Sequence, residues 1–205
     1  MKPNYKLLSH TYDLLDTLYF NRFETSPRTA MLNAVPREKI SVLDICAGTC
    51  SNSILIAENR PQAMITALDL SADMLKIAEK KFRLKGIKNI ETIVSDACNT
   101  GYPNGYFDVI LLSLILHEIS ENSRAAMLKE AKRLLTPNGR LIVIEWEQPK
   151  SPSQKILFTP IKQLEPRGFK EFLQRDLAAY FENLGFAVIE KRHCDYTKVY
   201  QLRKC

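Results

Sequence analysis

The sequence predicts an open, doubly wound α/β sheet, mostly parallel, and three observations carry that expectation. A short β-type run over residues 40–45 ends in the carboxylate of Asp44, and small residues follow it: Cys46, Ala47, Gly48, Thr49 and Cys50. Ser51 and Asn52 then offer helix N-cap chemistry ahead of Ile54, Leu55 and Ile56, so strand, tight loop and helix start succeed one another. The gap from Asp44 to Asp69 is one helix plus one strand, the length of a βαβ unit. Residues 107–116 form a near-continuous apolar run, the pattern of a strand buried on both faces of a parallel sheet.

The remaining elements follow from periodicity and punctuation. Leu8, Tyr12, Leu15 and Tyr19 stripe an expected helix over residues 7–20. Ser26 and Pro27 open a second helix over 28–35, and Pro36 stops it. The second strand is expected over 63–70. Ser71 caps the next helix, whose Met74, Leu75, Ile77, Ala78 and Phe82 repeat at helical spacing until Gly86. Residues 90–94 are the third strand, closing on Ser95, Asp96 and Ala97, and the Gly-, Pro- and Asn-rich stretch 99–106 is a loop. A helix over 120–135 leads through a turn at Pro137, Asn138 and Gly139 into a fifth strand over 140–146. Residues 149–168 hold four prolines and little periodicity, a long connection of the kind that forms lids or substrate walls. A single helix over 169–184 ends at Gly185. Strands over 186–194 and 198–203, joined by a short turn, close the chain as an antiparallel pair.

Composition narrows the class. A chain of 205 residues, 45% hydrophobic and 25% charged, is ordinary for one soluble domain, here residues 1–36 as N-terminal lid helices and 37–205 as core. No apolar run reaches the length of a membrane span, so stable membrane insertion is not expected, and the start Met-Lys-Pro-Asn-Tyr lacks a signal peptide's apolar segment. Five cysteines without C-x-x-C pairing favour reduced thiols and a cytoplasmic location. Cys46 and Cys50 have no second His or Cys cluster near them in sequence, and no metal is expected. The net charge of +6 gathers around residues 76–88 and 191–204 with few interleaved aromatics, a solvated face rather than a nucleic-acid footprint.

Charge and glycine count select the ligand. A dinucleotide loop needs three glycines facing a pyrophosphate, but only Gly48 is present and the Asp44 carboxylate would repel phosphate. A carboxylate there suits a ligand carrying an ammonium and a sulfonium. The stretch 40–53 resembles the first motif of the class I S-adenosylmethionine (SAM) methyltransferases, with Cys46 and Cys50 at two of the family's usual glycine positions. Leu-Asp-Leu-Ser-Ala-Asp-Met-Leu is similar to the family's second motif, Ser95-Asp96-Ala97 to its third, and the run from Ser113 to Glu118 to its fourth. Tyr12 falls where the quinone-methylating branch carries a similar Tyr-Asp pair.

The resemblance implies a Rossmann-like, seven-stranded sheet with the last strand antiparallel, and SAM as cofactor. It implies SAM contacts at Tyr12, Asp44, Cys46, Ala47, Gly48, Thr49, Asp69, Leu70, Met74, Asp96, Ala97, Ser113 and Leu114. Asp69 is placed to accept both ribose hydroxyls, and Asp96 to accept from the adenine amino group. The expected reaction is in-line displacement of the sulfonium methyl, with the protein supplying proximity and water exclusion. His117 is the candidate general base, and a capping role for it stands beside that reading. No Asn/Asp-Pro-Pro-aromatic element follows the fourth strand and no Pro-Cys nucleophile is present, which favours a small-molecule methyl acceptor over a nucleic acid. An RNA-modifying enzyme and a non-catalytic SAM-binding module remain as rivals.

Overall fold

The first strand, β1 (Ser41–Ile45), alternates its buried side chains between two cores, which is why the strand reads as uniformly apolar. Leu43 and Ile45 face one core and Val42 the other, and all three are at most 1% exposed. The computed structural model describes residues 26–166 and 168–205, so Tyr12, His10 and the helix expected over 7–20 lie outside the described residues. Beside β1 run β2 (Met64–Asp69) and β4 (Phe107–Ser113), both parallel to it, and β3 (Ile90–Val94) pairs parallel with β2. Beyond β4 lie β5 (Leu135–Trp146), parallel to it, then β7 (Thr197–Lys204) and β6 (Phe186–Cys194). The seven-stranded order is β3-β2-β1-β4-β5-β7-β6, with β7 antiparallel to both neighbours. The expected sheet is thus the observed one. Successive strands leave β1 in opposite directions at the β1/β4 boundary, and a crevice at the strands' carboxyl ends is where such sheets bind ligands.

Helices cover both faces. On one side α1 (Pro27–Ala34) and α2 (Ser51–Asn59) bury Met31, Ala34, Ile56 and Ala57 against Val42, Ile65, Val109, Leu111 and Ile142. On the other, α4 (Glu121–Leu134) lays Met127, Leu128, Ala131 and Leu134 over Leu43, Ile110 and Leu112. Each Val, Leu, Ile or Met among them contributes about 1.5–3 kcal/mol on leaving water, and each Ala less. The helix α3 (Ala72–Lys85) starts where the Ser71 hydroxyl accepts the Met74 amide and stops at Gly86, whose φ of 69° no side chain obstructs.

Four local expectations are corrected. The fourth strand ends at Ser113 rather than running to 116, because Leu114 takes a left-handed φ of 53° and turns the chain. Pro137, Asn138 and Gly139 lie within β5, and the β4/β5 register shifts between Phe107 and Val109 to absorb them. The connection expected to be structureless holds α5 (Pro152–Leu157), opened by a Ser151/Gln154 capping box, and α6 (Thr159–Leu164). The single helix expected over 169–184 is two, α7 (Phe169–Leu173) and α8 (Leu177–Asn183), because the Asp176 carboxylate accepts the Ala178 and Ala179 amides and caps a new start.

Candidate functional site

The site is built where β1, β2, β3 and β4 end. Asp44 is 2% exposed and accepts a 2.6 Å hydrogen bond from the Ser53 hydroxyl at the start of α2. Burial pushes its carboxyl up to about 7; the Ser53 bond pulls it down and the neighbouring Asp69 charge pushes it further up. A buried carboxylate held so near neutrality favours a cation beside it. The loop from Cys46 to Cys50 then makes three left-handed residues, Cys46 (φ 55°), Gly48 (54°) and Cys50 (60°). Two of the three carry a Cβ in a region that costs an L residue roughly 1–2 kcal/mol. The cysteines therefore keep the backbone path that glycine would take, at the cost of local strain.

Asp69 ties that loop to the next helix. One of its oxygens accepts the Gly48 amide and the other the Ser71 amide, both at 2.8 Å. Each oxygen keeps a second acceptor direction, which a vicinal diol can use. The Thr49 hydroxyl accepts from Lys81, and Ala47 donates its amide to the Leu68 carbonyl, locking the loop across β2. Leu70 stands 71% exposed at this edge while Met74 is buried in α3. At the end of β3, the Asp96 side chain is exposed and accepts the Cys98 amide, and Ala97 is buried. Ser113 and the turned Leu114 close the row from β4. The structure brings all of these together on one edge. Tyr12 alone among the expected cofactor residues cannot be placed, since it lies outside the described residues.

These groups fit SAM as its binding site requires. Space is open where a Cβ at Gly48 would stand, the Asp44 carboxylate suits an ammonium, and Asp69 suits ribose hydroxyls. Burial, then the Asp69 and Asp44 charges, push the Cys46 thiol up to about 12, so it is a neutral lining group rather than a nucleophile.

His117 sits on the far side of the crevice in a polar network that sequence reasoning located only in part. Its Nδ1 lies 2.8 Å from Glu145, and its Nε2 lies 3.1 Å from Glu165, with the imidazole side chain 1% exposed. Glu145, wholly buried near the end of β5, also accepts the Leu116 amide at 2.7 Å and the Trp146 amide at 3.2 Å. The second oxygen of Glu165 accepts the Trp146 indole N–H at 3.2 Å. Desolvation alone would lower His117, but Glu145 and then Glu165 outweigh it and raise the ring to about 10. Carboxylates on both nitrogens favour the protonated ring, so the expected base role would require Nε2 to be released from Glu165. Nor does it cap a helix: Ser120 caps α4.

Glu165 and its aromatic surroundings were missed because they come from the long connection, 48 residues beyond His117. Trp146, Phe158, Ile161 and Phe169 form a separate apolar cluster there, with Phe169 and Phe172 edge-on to His117. The one early signal was compositional: a lone glutamate, Glu145, interrupts the apolar run from Leu141 to Trp146.

Comparison with known proteins agrees with this geometry. Residues 42–139 match a family described as a methyltransferase domain. A demethylmenaquinone methyltransferase of Listeria welshimeri is 27% identical over 178 residues, 86% of this chain and 75% of the relative. A crystal structure of a SAM-dependent methyltransferase from Aquifex aeolicus superposes with TM-score 0.76 at 19% identity, covering 98% of both chains. A Burkholderia thailandensis 1,6-didemethyltoxoflavin-N1-methyltransferase, solved with its substrate and S-adenosylhomocysteine, gives TM-score 0.66 at 16% identity, covering 98% of this chain and 86% of that one.

Proposed function

We propose that this chain, a class I SAM-dependent methyltransferase, methylates a small, flat, largely apolar acceptor of the quinol type by in-line displacement. The observation that carries the acceptor class is the likeness to the Listeria demethylmenaquinone methyltransferase over 86% of this chain. The buried cluster of Trp146, Phe158 and Phe169 packs behind His117 and fixes that wall of the crevice. The name of that relative points to a flat, quinone-type acceptor. SAM, when bound, supplies an electrophilic methyl on its sulfonium. The chain's own residues then orient and exclude water. Asp44 neutralises the cofactor's ammonium, Asp69 holds its ribose, and Asp96 with Ala97 reads its base. Helices α5, α6 and α7 wall the acceptor side, where Glu165 fastens them to His117 and Trp146.

The RNA-modifying alternative has one observation in its favour, a cleft of about 600 Å³ lined by Lys129, Lys132, Arg133 and Lys204. That cleft lies beside the first residues of β4 and β5, at the opposite ends of the strands from Asp44. It cannot present a base to the methyl group. The test is a panel of short-chain demethylated quinols and aromatic phenols, read by formation of S-adenosylhomocysteine. Turnover of a quinol is expected. Turnover of transfer or ribosomal RNA fragments, with none of any quinol or phenol, would overturn the acceptor class.

A further inference from the structure

We infer that His117, Glu118 and Glu165 form a binding site for a divalent transition metal ion of the zinc class on the acceptor side of the crevice. The donor atoms (His117 Nε2 and one carboxylate oxygen each from Glu118 and Glu165) all lie within 4.8 Å of one another. His117 Nε2 is 3.1 Å from the Glu165 oxygen and 3.9 Å from the Glu118 oxygen. Two ligands at zinc's bond lengths of about 2.0–2.2 Å, in tetrahedral array, stand roughly 3.3 Å apart. The two distances from His117 Nε2 bracket that spacing, and Glu118, the more exposed carboxylate, swings toward Glu165 to close the set around an ion.

A second observation, independent of the donor set, concerns what stands behind it. The other ring nitrogen of His117 is fixed by Glu145, wholly buried and itself anchored by the Leu116 and Trp146 amides. A carboxylate on one imidazole nitrogen orients the ring and directs the other nitrogen at a metal, the arrangement found behind most metal-bound histidines. Glu165 is steadied in turn by the Trp146 indole N–H, which leaves its other oxygen facing His117. The donors also differ in access: His117 is 1% exposed at the side chain, Glu165 17% and Glu118 34%. Solvent and a ligand therefore reach the group from the Glu118 side. Charge points the same way, because three carboxylates (Glu118, Glu145 and Glu165) surround one imidazole.

One imidazole and two carboxylates are a mixed nitrogen and oxygen set, which suits zinc, cobalt or manganese better than calcium. Three protein ligands leave the fourth tetrahedral position open, as in catalytic rather than structural sites. On binding, His117 Nε2 exchanges its proton for the ion and the proton passes to water. The role follows from the proposed function above: an ion there would hold an acceptor oxygen as its anion, that proton also leaving to water. Sequence reasoning expects no metal because it weighs only Cys46 and Cys50, and the third donor here lies in the long connection.

The experiment uses the full chain, stripped with chelator and titrated with Co²⁺ alone and then Zn²⁺ alone, with no cofactor or acceptor present. Its failure is thereby separable from failure of the acceptor assignment. One Co²⁺ per chain is expected, with the intense visible bands of a four-coordinate site that Zn²⁺ bleaches. Glu118→Gln and Glu165→Gln are each expected to weaken Co²⁺ binding by roughly tenfold or more with circular dichroism unchanged. His117→Asn could unfold a buried network, so the glutamate variants carry the test. Cys98→Ser and Cys205→Ser serve as controls and are expected to bind as the parent does. Absence of stoichiometric binding, binding indifferent to both glutamate changes, or binding lost only in the cysteine variants would each overturn the site.

Discussion

Asp44 and Glu145 are both buried carboxylates at the carboxyl ends of strands in one sheet, yet their surroundings differ. Asp44 accepts from the hydroxyl and the backbone amide of Ser53, and burial still leaves its carboxyl near 7. Glu145 accepts two backbone amides and an imidazole, so every donor around it has a partner. The half of the molecule that meets the cofactor is under-compensated and strained, with Cys46, Cys50 and Leu114 all left-handed. The half proposed to meet the acceptor, around Glu145, is fully hydrogen-bonded. Incomplete compensation at Asp44 is what a bound cation would relieve, so ligand binding and local stability are two readings of the same charge. Completeness at Glu145 instead builds a rigid post against which helices α6 and α7 close.

The largest effect is expected where compensation is complete. Glu145→Ala would remove the carboxylate that the His117 Nδ1, the Leu116 amide and the Trp146 amide share. Removing one partner of a buried, hydrogen-bonded ion pair costs about 3–5 kcal/mol. Urea unfolding at neutral pH measures it. A loss below about 1 kcal/mol would show that the network is not a support.

Asp44→Asn should act with the opposite sign. Its folded carboxyl is raised from 3.8 to about 7, so between those values the folded chain holds a proton that the unfolded chain has released. Stability of the parent therefore falls as pH rises through that window, and the cost is complete above about 7. An uncharged asparagine removes that cost, for a gain of about 2–4 kcal/mol at pH 8 that vanishes near pH 4. SAM affinity should collapse in the same variant. A neutral or destabilising effect at pH 8 would mean that the Asp44 charge is better compensated than its burial implies.

Asp69→Ala probes the boundary between the two behaviours, because Asp69 staples the loop and is the residue proposed to hold the ribose. It should weaken SAM by roughly tenfold or more, at ~1.5–3 kcal/mol per charged hydrogen bond lost. It should also loosen Gly48 and Ser71, whose amides it accepts. Calorimetric affinity that stays at the parent value in a folded variant would move the ribose contact elsewhere.

The strand order, the βαβ spacing and the row of carboxylates at the strand ends were legible in the sequence, and the network around His117 was not. Strands such as β1 and β4 announce themselves because both faces are apolar, and Asp44, Asp69 and Asp96 are read from their positions at strand ends. What hid the rest was sequence distance and short-range geometry. Glu165 meets His117 only because α5 and α6 fold the long connection back over Trp146. Capping by Asp176 breaks a helix whose apolar spacing alone runs through the break. Left-handed backbone at a cysteine has no signature in composition, and the motif comparison could only flag Cys46 and Cys50 as departures.

Those departures give the smallest and cleanest prediction. Cys46 is partly buried with φ 55°, and the ordinary rule for its substitution is reversed there. In most backbone conformations glycine is less stable than alanine, by roughly 0.5–1 kcal/mol, because its unfolded chain has more freedom to lose. In the left-handed region the Cβ of alanine meets the following carbonyl oxygen, a cost of roughly 1–2 kcal/mol that glycine escapes. Both substitutions remove the same thiol, so its packing against the core that α4 covers cancels between them. Cys46→Gly should therefore exceed Cys46→Ala in stability by about 0.5–1 kcal/mol, measured as the difference in urea midpoints at equal slope. Alanine ahead of glycine would mean that Cys46 does not hold the left-handed turn in solution, and that the cofactor loop follows a different path from the one a glycine would take.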